Sequence, residues 1–90
     1  MSLAFTLDNV RSVVAYKRDQ VTTDLLCMDV EVEADDGTTN IWTIHEERPE
    51  WLQWLSELET LDGFDPRWFE KVSQPPFAAS VTEIFRRPVA

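Results

Sequence analysis

The sequence predicts an α+β fold, in which an antiparallel sheet of about four to five strands packs against an amphipathic helix and a short second helix, in the order β-β-β-α-α-β. Three patterns indicate this fold. Apolar and mostly acidic residues alternate over 26–33, an Asp-Gly turn follows them, and apolar residues recur at three- and four-residue spacing after Pro49. A chain of 90 residues with 43% hydrophobic content supports one core, so a single domain over 1–90 is expected.

The first predicted strand covers residues 10–17. Side chains that favour strands, such as Val10, Val13 and Tyr16, are concentrated there. The polar run 17–20 then predicts a turn.

The second strand is predicted to have one apolar and one solvated face. Its apolar residues are Leu26, Met28, Val30 and Val32, and they alternate with Cys27, Asp29, Glu31 and Glu33. Asp36-Gly37 predicts a tight turn into a third strand over 39–45, because glycine takes φ > 0 at no steric cost. Trp42 shares one face of that strand with Ile44, and the sequence leaves open which face meets the core.

The first helix is expected to begin near Pro49, whose missing N–H suits a first helical turn. Its apolar stripe, about three turns long, consists of Trp51, Trp54, Leu55, Leu58 and Leu61. Asp62-Gly63 ends the helix, because glycine suits the left-handed position that follows a helix.

A short second helix and a last strand complete the fold. Asp65 is the expected N-cap and Pro66 the first helical residue, and Pro75-Pro76 stops the helix. The side chains expected to face inward are Trp68, Phe69 and Val72. The last strand is predicted within residues 77–87.

Charge and cysteine content narrow the classes of partner. A net charge of -9 and a pI near 4.3 repel phosphate backbones and anionic lipids, so no nucleic-acid or membrane partner is expected. The single cysteine, Cys27, allows no intramolecular disulfide, and no apolar run matches a signal peptide or a membrane span. We therefore expect a cytoplasmic protein.

His45-Glu46-Glu47 is the main candidate for chemistry. It matches half of a zinc-protease motif, but the second histidine would fall at Pro49 and His45 is the only histidine, so no metal site is expected. The two glycines belong to predicted turns, which excludes a glycine-rich phosphate loop, and no cofactor is expected. Two roles stay open for His45: an acid or base beside Glu46 or Glu47, or a residue that fixes the strand-to-helix junction.

Two surfaces are candidates for binding. The acidic residues Asp29, Glu31 and Glu33 suit a basic protein partner, or form an ordinary solvated sheet face. At the start of the first helix, Trp51 is the candidate apolar wall of a pocket with residues 45–47 at its rim.

The chain also resembles small bacterial α+β proteins that have no assigned activity. The motifs that carry the resemblance are Lys17-Arg18-Asp19, His45-Glu46-Glu47, Pro49-Glu50-Trp51, Asp62-Gly63-Phe64 and Pro75-Pro76-Phe77-Ala78. The resemblance implies a compact bacterial domain and assigns no catalytic residue.

The leading functional hypothesis is a non-enzymatic cytoplasmic module that binds a protein partner or a second copy of itself. Small size, acidity and four tryptophans favour it, since tryptophan often anchors interfaces. One version is an immunity-like acidic antidote to a basic partner. The alternative is a small-molecule-binding protein or minor enzyme with a pocket near His45.

Overall fold

The structure is a computed structural model that describes residues 5–20, 23–73 and 81–87. Its elements are a 3-10 turn (Leu7–Asn9), β1 (Val10–Gln20), β2 (Thr23–Glu33), β3 (Thr39–His45), α1 (Trp51–Leu58), α2 (Trp68–Ser73) and β4 (Thr82–Arg86). The predicted α+β class and the order β-β-β-α-α-β are confirmed. None of the described helices is both long and apolar enough to cross a bilayer.

The four strands form one antiparallel sheet in the order β3-β2-β1-β4. β1 and β2 are the two long central strands of the sheet, and β3 and β4 are its edge strands. Strand β4 returns beside β1 at the end of the described chain, with its register shifted once between Val13 and Val14.

The polar run 17–20 continues β1, so its prediction as a turn was wrong. Lys17 pairs with Leu26 and Arg18 with Leu25, which keeps this segment in the ladder. Lys17 is buried, a position that a lysine tolerates because its aliphatic part can pack along an apolar surface. Residues 21–22, between β1 and β2, lie outside the described residues.

One face of the sheet packs on the helices. The apolar alternation of β2 is confirmed, with Met28 and Val30 fully buried against the helical layer. In β3, Ile44 lies on this inner face and is buried, which settles the orientation that the sequence left open. The core consists of Val10, Val13, Ala15, Met28, Val30, Val32, Ile44, Trp51, Leu58, Phe64, Trp68, Val72, Ile84 and Phe85.

Helix α1 begins at Trp51 and ends at Leu58, so it is shorter than predicted at both ends. The chain leaves β3 through tight turns, in which Arg48 N–H donates to the His45 carbonyl and Trp51 N–H to the Arg48 carbonyl. Pro49 therefore lies in a turn and not in the helix. The apolar stripe faces the core as predicted, and Gly63 takes φ +92° after the helix.

Helix α2 begins at Trp68, two residues after the predicted start at Pro66, which lies in a turn. Asp65 stands before that turn, and its Oδ1 accepts a hydrogen bond of 2.9 Å from Arg67 N–H. Trp68 and Val72 are buried, one turn apart, as predicted. Phe69 is 55% exposed, so its inward prediction was wrong. A helix of six residues buries one narrow line of side chains, and the step of about 100° from Trp68 carries Phe69 off that line. Pro75-Pro76 lies outside the described residues.

Candidate functional site

The second face of the sheet, called here the open face, carries the side chains that alternate with the core residues. On β1–β3 it consists of Ser12, Val14, Tyr16, Arg18, Leu25, Cys27, Asp29, Glu31, Glu33, Thr39, Ile41, Thr43 and His45. The helices pack on the opposite face, against the apolar core. The open face therefore holds most of the polar side chains that the sequence singled out.

Two of the three acidic residues of the open face, Asp29 and Glu33, have polar partners within the sheet. Asp29 accepts hydrogen bonds from the hydroxyls of Tyr16 and Thr43, at 3.0 and 2.8 Å. Glu33 forms an ion pair with Arg11 at 3.2 Å. The predicted acidic surface thus has hydrogen-bond donors beside two of its three carboxylates.

Tyr16 is held in its neutral form by this arrangement. Burial, the hydrogen bond to Asp29 and the negative charge of Asp29 together raise the pKa of Tyr16 to about 12. The phenol therefore serves as a fixed donor to Asp29 at neutral pH.

Tyr16, Cys27 and His45 form one row across β1, β2 and β3. Burial raises the pKa of the Cys27 thiol, and the nearby Arg18 opposes the shift. Cys27 is buried, so it lacks the exposed, electropositive setting of a nucleophilic thiol. His45 Nδ1 is buried and has no hydrogen-bond partner among the described residues.

Glu46 extends the pairing of β2 with β3. Its N–H donates to the Leu26 carbonyl at 3.0 Å, and its Oε1 accepts the Leu26 N–H at 2.9 Å. Glu47 is exposed, whereas the ring of Trp51 is buried and contacts Trp68 with ring centroids 6.3 Å apart. Glu46 and Glu47 of the predicted rim are therefore exposed, whereas the predicted wall, Trp51, belongs to the core.

An open cavity of about 280 Å³ lies among Asp8, Asn9, Arg11, Glu33, Ala34 and Asp35. Glu33 lines this cavity, and Cys27 is the residue of β2 that pairs with His45. The two residues are six positions apart on β2, which is roughly 20 Å at the rise of a strand. This cavity is therefore at the opposite end of the sheet from His45. Within the described ranges, no group of three or more His, Cys, Asp or Glu side chains is placed to hold a metal ion.

The outer edge of β3 is the feature that sequence reasoning missed. Ala34 N–H donates to the Thr38 carbonyl and Glu46 N–H to the Leu26 carbonyl, which fixes the even-numbered residues of β3 as the ones bonded to β2. The backbone N–H and C=O groups that point away from the sheet belong to Thr39, Ile41, Thr43 and His45. No described strand pairs with these groups.

The side chains of β3 leave this edge unprotected. All seven residues, Thr-Asn-Ile-Trp-Thr-Ile-His, lack a formal charge with histidine neutral, and none is proline. Ile41 is 56% exposed and Trp42 38% exposed. Native edge strands usually carry charges, proline or bulges that block pairing with another chain, and β3 has none of these features.

The other edge strand, β4, is protected in the usual way. It has five residues, and two of them, Glu83 and Arg86, form an ion pair along the strand. The carbonyl of Ile84 also accepts a hydrogen bond of 2.8 Å from Asp65 N–H in the loop before α2. Among the described residues, β4 therefore carries charged side chains and a loop contact that β3 lacks.

An aromatic cluster lies beside β3 on the helical side. The ring of Phe5 contacts Trp42 and Trp54, with centroid distances of 6.1 and 5.1 Å. Trp42 is thus held in place while part of its ring stays exposed. The uncharged run over 39–45, in a chain with 28% charged residues, was the sequence signal that could have identified this edge.

Comparison of the chain with known protein families, curated proteins and solved structures finds no match.

Proposed function

We propose that the protein is a non-enzymatic protein-binding module that pairs an extended segment of a partner with the outer edge of β3. The single observation that carries the proposal is a charge-free edge strand whose outward backbone groups, at Thr39, Ile41, Thr43 and His45, have no described partner. In such strand addition, main-chain hydrogen bonds supply affinity and flanking side chains supply specificity.

The edge offers enough groups for specific docking. Each of the four outward residues contributes one N–H and one C=O, so a partner strand can form up to eight hydrogen bonds with the backbone. Ile41 and Trp42 add exposed apolar surface on the two faces of the same strand. An interface of this kind belongs at the small end of the size range, below about 1,200 Å² of total buried area, which suits reversible binding.

The chemistry of the open face supports a binding role over a catalytic one. Cys27 is buried and the pKa of its thiol is raised, which favours the unreactive protonated form. Glu46, the carboxylate next to His45, is engaged with the Leu26 backbone. We also propose a cytoplasmic location, supported by the single buried thiol.

The test is amide hydrogen exchange of the full chain, followed by NMR, with and without a probe peptide. Three probes share a core of seven alternating Thr and Val residues and carry two Gln, two Lys or two Glu residues at each end. We expect fast exchange at the four outward amides in the free protein and protection of these amides by at least one probe. The even-numbered amides of β3 are the internal control, because β2 protects them in both samples.

Two results would overturn the proposal. Protection of the outward amides in the free protein would show that another part of the chain, or a second copy, already covers the edge. Unchanged exchange with all three probes would show that the edge does not accept a strand.

A further inference from the structure

Acidic side chains stand at both ends of β3. Before the strand, the turn that joins it to β2 carries the exposed residues Asp35 and Asp36. After it come Glu46, Glu47 and Glu50, of which Glu50 forms an ion pair with Arg48 at 3.4 Å. The edge is therefore neutral along its length and negative at each end.

This distribution opposes pairing with a second copy. Two copies of the protein could pair their β3 strands antiparallel, edge to edge. All four outward residues of each strand have partners in one register only, in which Trp42 faces Trp42 of the other copy and Thr39 faces His45. That register brings the Asp35-Asp36 turn of each copy next to residues 46–50 of the other, where three glutamates outnumber the single basic residue, Arg48. Like charges meet at both ends, between two chains that each carry a net charge of -9.

A shift of the register does not relieve this repulsion. Pairing requires odd-numbered residues to face odd-numbered residues, so the smallest shift is two positions. Such a shift leaves one of the four outward residues of each copy unpaired and keeps acidic groups at both ends. Self-association by this edge therefore loses hydrogen bonds without gaining electrostatic complementarity.

We propose that the segment bound at β3 is a strand of a foreign protein with an uncharged β-forming centre and Lys or Arg residues at both ends. This inference rests on the strand-addition function proposed above and names the partner's chemistry. The uncharged centre matches the seven neutral residues of β3, and the basic ends match the two acidic ends. Because both ends of β3 are acidic, the charges favour neither a parallel nor an antiparallel orientation.

The test compares the dissociation constants of the three probe peptides at low and high salt. At about 0.02 M salt the Debye length exceeds 20 Å, and at about 0.5 M it falls to roughly 4 Å. We expect the Lys-ended probe to bind about tenfold more tightly than the Gln-ended probe at low salt, and the Glu-ended probe to bind most weakly. High salt is expected to reduce these differences to about twofold or less.

A pair of variants locates the effect on the protein. Asp35→Asn with Glu47→Gln removes one carboxylate from each end of β3 and is expected to lower the preference for the Lys-ended probe by about threefold. The matched control, Glu57→Gln with Glu59→Gln, removes two exposed carboxylates in and after the last turn of α1, which belong to neither acidic end of β3. The control is expected to keep the preference within about twofold.

The outcomes separate the two proposals. If the three probes bind with equal affinity and protect the outward amides, the inference that the partner strand has basic ends is overturned, but the proposal of strand addition is not. No protection by any probe would overturn both. We expect self-association, measured by sedimentation, to be weak at low salt. Strong dimerisation at low salt would identify a second copy as the occupant and overturn the inference.

Discussion

The guanidinium group of Arg87 donates a hydrogen bond of 2.8 Å to the carbonyl oxygen of Val10, which joins the chain after β4 to the start of β1. The same group donates to the Leu7 carbonyl at 3.0 Å and lies over the ring of Phe85, 5.6 Å from its centroid. One side chain near the end of the described chain thus secures the first turn of the fold.

Arg87→Ala is expected to lower the free energy of unfolding by about 1–3 kcal/mol, because it removes two charged hydrogen bonds to part-buried carbonyls. The measurement is urea denaturation with linear extrapolation. Arg86→Ala is the matched control, since the Arg86 side chain is 68% exposed and its ion pair is with exposed Glu83. Its expected cost is below about 1 kcal/mol. Equal costs for the two variants would contradict the anchoring role of Arg87.

The single tyrosine of the chain allows a direct test of the open face. Tyr16 has a pKa raised from 10.0 to about 12 by burial and by Asp29, so ultraviolet titration of the folded protein should show tyrosinate only above the ordinary range. Asp29→Asn should move the pKa of Tyr16 towards its ordinary value, because the negative charge is lost. Thr43→Val leaves the Asp29 carboxylate in place and should change this pKa less.

The same pKa shift predicts how stability depends on pH. The folded pKa of Tyr16 lies above the unfolded value, so the folded state binds the proton more tightly. The stabilisation is complete below about pH 10 and is lost as the pH rises towards about 12. Tyr16→Phe, which cannot ionise, should reduce the loss of stability in this range, as measured by denaturation at several pH values. An unchanged slope would contradict the assignment.

The fold was predictable from the sequence wherever one residue pattern acted alone. The alternation in β2 places Met28 and Val30 inward because the period of a strand is two, and no competing signal is present. Gly37 adopts φ +88°, which confirms the predicted turn, because glycine takes positive φ at no steric cost. Local patterns of this kind are sufficient to predict which face of a strand is buried and where a turn lies.

The errors fell where tertiary pairing overrides local preference. Lys17 was predicted to be in a turn because it is polar, but pairing with Leu26 and burial of its aliphatic part keep it in β1. Pro49 suits a first helical turn, yet the turn from His45 to Trp51 delays α1 by two residues. The candidate site was missed because the uncharged run over 39–45 marks an edge only once the strand order places β3 at the side of the sheet.

Cys27 should react with thiol reagents only when the fold opens. It is buried, and burial raises the pKa of its thiol, so both access and thiolate content are low at pH 8. We expect its modification by a disulfide reagent to be at least on the order of 100-fold slower in the folded protein than in urea. The rate, followed by absorbance, should rise with denaturant together with unfolding. Rapid modification without denaturant would contradict the buried position and reopen a nucleophilic role.

Proline substitutions on β3 distinguish its outer edge from its inner one. Ile41→Pro removes an N–H that points away from the sheet, so it should cost less than about 1 kcal/mol of stability while weakening probe binding at least tenfold. Asn40→Pro is the matched control, because it removes an N–H bonded to Val32 in β2 and should cost about 3 kcal/mol. Denaturation gives the stability, and amide protection at Thr39, Thr43 and His45 gives the binding. If Ile41→Pro binds the probes as the parent does, the partner does not use the backbone of this edge.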